Sequence, residues 1–208
     1  MAEFSRALGL RGYLGPSYRS AVNVVTPEGE RAIAFDEAEG EAGLADAIRF
    51  LDGGAAWPEE LVTPVVLPCR IETLTPALLA ATARAAEERS ALVRLHALQG
   101  EFERDYILRT HGMTPLDLID SAGLLTDRLL VPHGVFLDIN PRVHGEDRGD
   151  LARIADAGAA IVHCPLTNAR YGSELETFAR YRDAGITIAL GTDSFPPDLI
   201  RGIDTGVS

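Results

Sequence analysis

Residues 156–163 read Asp-Ala-Gly-Ala-Ala-Ile-Val-His, and residues 183–190 read Asp-Ala-Gly-Ile-Thr-Ile-Ala-Leu. In both, a glycine supplies the left-handed stop of a helix and an apolar strand begins at once. Unbroken apolar runs of this length suit strands buried on both faces, the mark of a parallel sheet. The same pattern extends outward from this echo. Ala91-Leu-Val-Arg-Leu95 runs into His96, Leu129-Leu-Val-Pro132 into His133, and Ala159-Ala-Ile-Val162 into His163. Ile186-Thr-Ile-Ala-Leu190 leads through Gly191-Thr192 to Asp193. The four polar residues stand 37, 30 and 30 residues apart, each interval the length of one strand-loop-helix-loop unit. βα barrels collect their chemistry at the carboxyl ends of such strands. A single histidine at a strand end is more often structural; four such ends in register point to an active site.

The chain has 208 residues, enough for one substantial core, with 46% hydrophobic and 24% charged residues, as in a soluble globular enzyme. A formal net charge of −12 argues against a nucleic-acid partner, which needs a basic footprint. Cys69 and Cys164 lie in or beside apolar runs and make no disulfide framework, so a cytoplasmic setting is expected. No apolar run has the length of a membrane span, and the opening Met1-Ala-Glu-Phe-Ser-Arg6 lacks a signal-peptide core.

From about Leu61 the spacing predicts alternating strands and helices. Val62-Thr-Pro-Val-Val-Leu-Pro68 reads as a strand with one or both of its prolines at its ends, since each deletes a ladder donor. Thr75-Pro76 opens a helix with Leu78, Thr82 and Ala85 on its core face. Helices are expected over 102–110, from Thr114-Pro115 to near Gly123, around Leu151, Ile154 and Ala155 up to Gly158, and around Leu175, Phe178 and Ala179 up to Gly185. Before that, residues 8–14 read as a strand, 15–40 as a long irregular excursion, and 43–51 as a short amphipathic helix. The sum is one α/β domain over residues 1–208, of about six βα units.

Asp193 directly follows a buried strand, where a carboxylate can bind a divalent ion and accept a proton; the blander reading is a turn aspartate capping a helix. His96 offers an imidazole ligand, with Gln99 three residues on. His133, in Pro132-His133-Gly134, can polarise a substrate carbonyl or leaving group, or orient water. Taken singly, each histidine reads better as a satisfied core residue. His163-Cys164-Pro165 with Asn168 has three readings. A Cys-His dyad is opposed by the opposite facing of adjacent strand residues, and a zinc-finger-like site lacks paired cysteines. A substrate-contacting strand end is preferred. His111 and His144 read as surface residues, and Arg70, Glu72 and Thr73 as weaker cleft candidates.

The stretches Leu95-His96-Ala-Leu-Gln99, Val131-Pro-His133-Gly, Val162-His163-Cys-Pro165 with Asn168, and Leu190-Gly-Thr-Asp193-Ser resemble the amidohydrolase superfamily. Within it they are most similar to the aminohydrolase and chlorohydrolase branch of guanine deaminases, cytosine-deaminase-like enzymes and triazine hydrolases. The resemblance implies a distorted TIM barrel with one divalent metal, zinc first and iron second. It implies metal-ligand roles for His96 and Asp193, a catalytic, substrate-polarising role for His133, and a pocket-shaping role for Asn168.

Two departures from the family pattern stand out. The family carries a proton-shuttling Glu where this chain has Gln99, and an amide cannot act as general base at neutral pH. Proton transfer then falls to Asp193, to His133 or to a further residue that the motifs do not identify, and a Gln99 that positions substrate by hydrogen bonds is a further reading. The family also opens its barrel with a His-x-His pair, whereas this chain has no histidine before His96. The chain therefore reads as strands three to eight of an eight-stranded barrel, without the first strands, the closing helices or the flanking β-sandwich. The expected function is metal-dependent hydrolysis of a C–N or C–Cl bond in a small heterocyclic or amidine-like substrate. The alternatives are an inactive truncated remnant, or a fragment that needs a partner chain. Two recognisable ligands predict weak metal binding and no turnover by residues 1–208 alone, and unpaired sheet edges predict self-association. A phosphate-binding barrel fits less well, because no Gly-rich phosphate loop follows the last strands.

Overall fold

The computed structural model describes residues 2–53, 61–173, 175, 178–193 and 197–207. The residues pack into two compact units, one of 1–94 with 122–124 and one of 95–121 with 125–208, where the sequence reads as a single domain.

The first unit begins with helix α1 (Ala2–Leu8) and strand β1 (Gly12–Leu14), so only the last three residues of the expected strand at 8–14 are extended. Strand β2 (Ser17–Tyr18) follows, and then an antiparallel hairpin of β3 (Ala21–Val25) and β4 (Arg31–Phe35). This hairpin corrects the irregular excursion read over 15–40. Its Thr26–Glu30 turn closes with a Thr26 N–H to Glu30 carbonyl bond of 2.8 Å. Helix α2 spans Glu37–Asp52, six residues earlier in its start than expected, because Asp36 caps it by accepting from the Glu39 N–H at 3.0 Å. Pro64 ends β5 (Val62–Pro64) and Pro68 ends β6 (Leu67–Pro68), as their missing donors require. β5 pairs in parallel with β1, and β6 with β2. Helix α3 (Pro76–Glu88) starts at the expected Thr75 cap, and Leu78, Thr82 and Ala85 are buried. The Tyr18 and Thr82 hydroxyls, 2.6 Å apart, pin β2 to α3. Strand β7 (Val93–Arg94) closes the unit through a parallel bridge from Val93 to Val66.

The second unit carries the three clearest strands, β8 (Leu129–Pro132), β9 (Ala160–His163) and β10 (Thr187–Leu190), adjacent and parallel in that order. On the far side of β8, the Leu95 N–H bonds the Leu130 carbonyl at 3.1 Å and Ala97 bridges His133. The four polar strand ends thus lie along one edge of neighbouring parallel segments. Helices α4 (Glu101–His111), α5 (Pro115–Ser121) and α6 (Asp150–Ala157) match the expected positions. Thr114 and Asp117 cap α5 reciprocally. Arg153 of α6 holds α5 through Asp117 and Asp120, each at 2.9 Å. Gly158 stops α6 at φ +72, where an L side chain would be strained. Helix α7 (Pro165–Arg170) was not anticipated; Pro165 sits at its first turn. Helix α8 is shorter than expected, Ala179–Asp183, with Leu175 and Phe178 before it and 174, 176 and 177 outside the described residues. A further helix, α9 (Leu199–Val207), follows β10, where the sequence suggested none. No helix among the described residues is long and apolar enough to cross a membrane.

Candidate metal and catalytic site

β8 delivers His133 at its carboxyl end. The His133 N–H still bonds the Val162 carbonyl of β9 at 2.9 Å, yet the residue has φ +77, an uncommon conformation for a non-glycine residue. Such backbone conformations cost on the order of 1–3 kcal/mol and persist where surrounding structure enforces them. The enforcement is visible next door. Gly134 has φ +60, and a Cβ there would lie 2.7 Å from Ile161 Cδ1. The Tyr181 hydroxyl donates to the Gly134 carbonyl at 2.7 Å from a ring that is 1% exposed.

His96 follows Leu95, which bonds β8, and its ring centroid is 5.6 Å from that of His133 and tilted by 40°. The turn that follows is held by Glu103 of α4, itself buried. One carboxylate oxygen accepts from the Leu98 N–H at 2.6 Å and the other from the Gln99 N–H at 3.4 Å. Leu98, at φ +59, is fixed in the left-handed region by that carboxylate. Asp193 lies at the end of the β10 loop, also left-handed at φ +54. The Gly191 N–H bonds the His163 carbonyl at 2.8 Å, and the Thr167 hydroxyl bonds the Thr192 carbonyl at 3.3 Å. Ser194, the last residue of that motif, is outside the described residues.

One ligand atom from each of His96, His133 and Asp193 lies within 4.8 Å of the others, and His133 Nε2 is 4.0 Å from Asp193 Oδ2. Ligands about 2.0–2.2 Å from a tetrahedral ion stand roughly 3.4 Å apart. An inward shift of about an ångström, within reach of side-chain rotation, would therefore close the three around an ion. Two imidazoles and a carboxylate suit zinc, iron and manganese, and three protein ligands are the usual complement of a catalytic zinc. The residues present fit a divalent metal. His96 and Asp193 are the two ligands the sequence suggests, and His133, assigned there to catalysis, stands within ligand reach of both.

Behind His133, Asn168 Oδ1 lies 3.0 Å from His133 Nδ1, and Asn168 Nδ2 lies 3.2 Å from His163 Nδ1. Asn168 and His163 are each only 4% exposed. Burial first, and then the neighbouring His133 charge, pulls the His163 pKa down to about 4. The Phe178 ring meets that imidazole edge-on at 4.9 Å. Gln99 is half-buried on the turn after His96. Arg70, Glu72 and Thr73 belong to the first unit, with Glu72 and Thr73 buried there. His144 is exposed and His111 half-buried. Sequence reasoning missed Glu103 and Tyr181. A buried glutamate one turn into a helix carries no signal of its own, and Tyr181 acts only through a carbonyl 47 residues away.

The profile of the amidohydrolase family matches residues 10–207. The 5-methylthioadenosine/S-adenosylhomocysteine deaminase of Pyrococcus furiosus is 28% identical over 193 residues, covering 93% of this chain and 41% of that protein. The enzyme of the same name from Natronomonas pharaonis is 30% identical over 185 residues, covering 89% of this chain and 38% of its own. Among solved structures, an adenosine deaminase from Xanthomonas campestris with bound zinc superposes with a TM-score of 0.76 at 22% identity. That superposition covers 95% of this chain and 40% of the other, and shows the shared fold. The chain spans about two fifths of the length of the curated relatives it matches.

Proposed function

This chain belongs to the amidohydrolase family, and from that premise we propose that its site serves metal-dependent hydrolysis of a C–N or C–Cl bond in a small heterocyclic or amidine-like substrate. Deamination of an amino-purine compound comes first, by similarity to the 5-methylthioadenosine/S-adenosylhomocysteine deaminases. The observation that carries the reading is the convergence of His96, His133 and Asp193 within 4.8 Å. His96 and Asp193 would hold one divalent ion, zinc or iron, with His133 within ligand reach. When bound, such an ion supplies the Lewis acidity that makes water a competent nucleophile near neutral pH. The chain's own residues supply the rest. His133 stabilises charge developing on the substrate, and the Asp193 carboxylate accepts and returns the proton. Gln99, an amide, orients substrate by hydrogen bonds and moves no proton. His163 and Asn168, behind His133, help shape the substrate side of the site. The two thiols, Cys69 and Cys164, support a cytoplasmic setting, and the outer edge of β10, which pairs only with β9 among the described residues, supports a homo-oligomer.

A second reading has residues 1–208 inactive until a further polypeptide joins them. It is favoured by Gln99 at the position of the family's glutamate and by the two-fifths span of the relatives. Ammonia release from 5-methylthioadenosine by the purified zinc-loaded chain separates the two. The first reading predicts turnover that disappears in Asp193→Ala, and the second, like the expectation from sequence, predicts none. A zinc-loaded chain without turnover establishes the second reading and overturns the first.

A further inference from the structure

We propose that Asn168 is a positioning residue that sets the tautomer of His133, and that His163 is the fixed acceptor that keeps the Asn168 amide from turning over. Asn168 sits on the first turn of α7, its N–H bonded to the Cys164 carbonyl at 2.9 Å, and its side chain is enclosed between two buried imidazoles. A carboxamide presents an acceptor on one atom and donors on the other. Oδ1 at 3.0 Å from His133 Nδ1 therefore requires a proton on that nitrogen, and Nδ2 at 3.2 Å from His163 Nδ1 requires a lone pair there.

The consequence reaches the site rim. With its proton on Nδ1, His133 keeps Nε2 bare, and Nε2 is the nitrogen 4.0 Å from Asp193 Oδ2. That nitrogen then carries the lone pair that can hold a cation or accept a proton. The opposite tautomer would set a lone pair against Oδ1 inside the protein and leave both buried groups unsatisfied. A second-layer hydrogen bond that fixes ring and tautomer is a recurrent device at imidazole ligands. Without His163, however, the amide is free to rotate by half a turn and offer its NH2 group to His133, inverting the arrangement. His163 is suited to prevent this. It lies in β9 opposite Leu190 of β10 and is braced by the Phe178 ring, so its Nδ1 is held in place.

This inference rests on the proposed role of His133 at the site, but its test does not require metal or turnover. Two-bond proton–nitrogen correlation spectra of the nitrogen-labelled, metal-free chain at neutral pH report which ring nitrogen is protonated. The wild type is expected to show His133 protonated on Nδ1 and His163 on Nε2. In Asn168→Asp the carboxylate only accepts, so His133 keeps its Nδ1 proton while His163 moves its proton to Nδ1. In Asn168→Leu, His133 loses its fixed tautomer, and Zn2+ affinity falls by roughly 10–100-fold. Asn168→Asp retains most of that affinity. A wild-type His133 protonated on Nε2 overturns the proposal, as does a folded Asn168→Leu with an unchanged His133 tautomer. Should Asn168→Leu fail to fold, Asn168→Asp decides, and a His163 proton still on Nε2 contradicts it. A wild-type chain that takes up no Zn2+ yet shows the expected tautomers sinks the metal reading and leaves the positioning role standing.

Discussion

His133 and Gly134 turn the chain through two consecutive positive φ angles, +77 and +60, at the point where the site begins. Nothing about a Pro-His-Gly triplet announces that turn, and three contacts impose it: the ladder bond to Val162, the close approach of Ile161 and the hydroxyl of Tyr181. Tyr181→Phe removes the last of these and leaves the Gly134 carbonyl without its 2.7 Å donor. The expected loss is about 1–3 kcal/mol of unfolding free energy, read from urea denaturation, together with weaker Zn2+ binding. A Phe variant with unchanged stability and affinity would show that the turn needs no such anchor. Residue types at the site were legible in sequence because His and Asp at strand ends carry their chemistry in their identity. The closeness of His133 to His96 and Asp193 was not, because it depends on how far apart three loops stand.

At the scale of elements, caps and stops were the clearest signals. Thr75-Pro76 and Thr114-Pro115 open α3 and α5, and Gly158 closes α6, because each residue satisfies a local backbone requirement independent of tertiary packing. Thr75→Ala removes the hydroxyl that accepts from the Leu78 N–H at 3.2 Å. About 1 kcal/mol of stability should go with it, and an unchanged urea midpoint would contradict the cap. The β3–β4 hairpin was illegible for the opposite reason. Val24, Val25 and Phe35 are exposed, so its apolar residues mark no single buried face. Helix α7 was hidden by its length, six residues beginning at a proline.

For the whole molecule, acidity should be the most revealing variable. His163 has its pKa lowered in the folded chain to about 4, against an ordinary value near 6.5, so between these values the unfolded chain binds more protons. The stability due to a neutral His163 is complete above about pH 6.5 and is lost progressively as pH falls toward 4. The shift corresponds to roughly 3 kcal/mol. Urea midpoints measured across that window should fall with acidity in the wild type and fall less in His163→Leu. Equal slopes in the two proteins would remove His163 from the account. The parallel βα order was legible from the intervals between strand ends, whereas the packing of residues into two units was not, since it depends on contacts between distant segments.

We propose that the cluster of His96, His133 and Asp193 takes up one cation, with His96 and Asp193 as ligands and His133 within ligand reach. Calorimetric titration of the metal-free chain with Zn2+, alongside His96→Ala, His133→Ala and Asp193→Ala, tests it most directly. The account predicts one ion per chain in the wild type and a loss of at least tenfold in affinity in every one of the three folded variants. A wild type that binds no Zn2+, or any one variant that binds as tightly as the wild type, would contradict it.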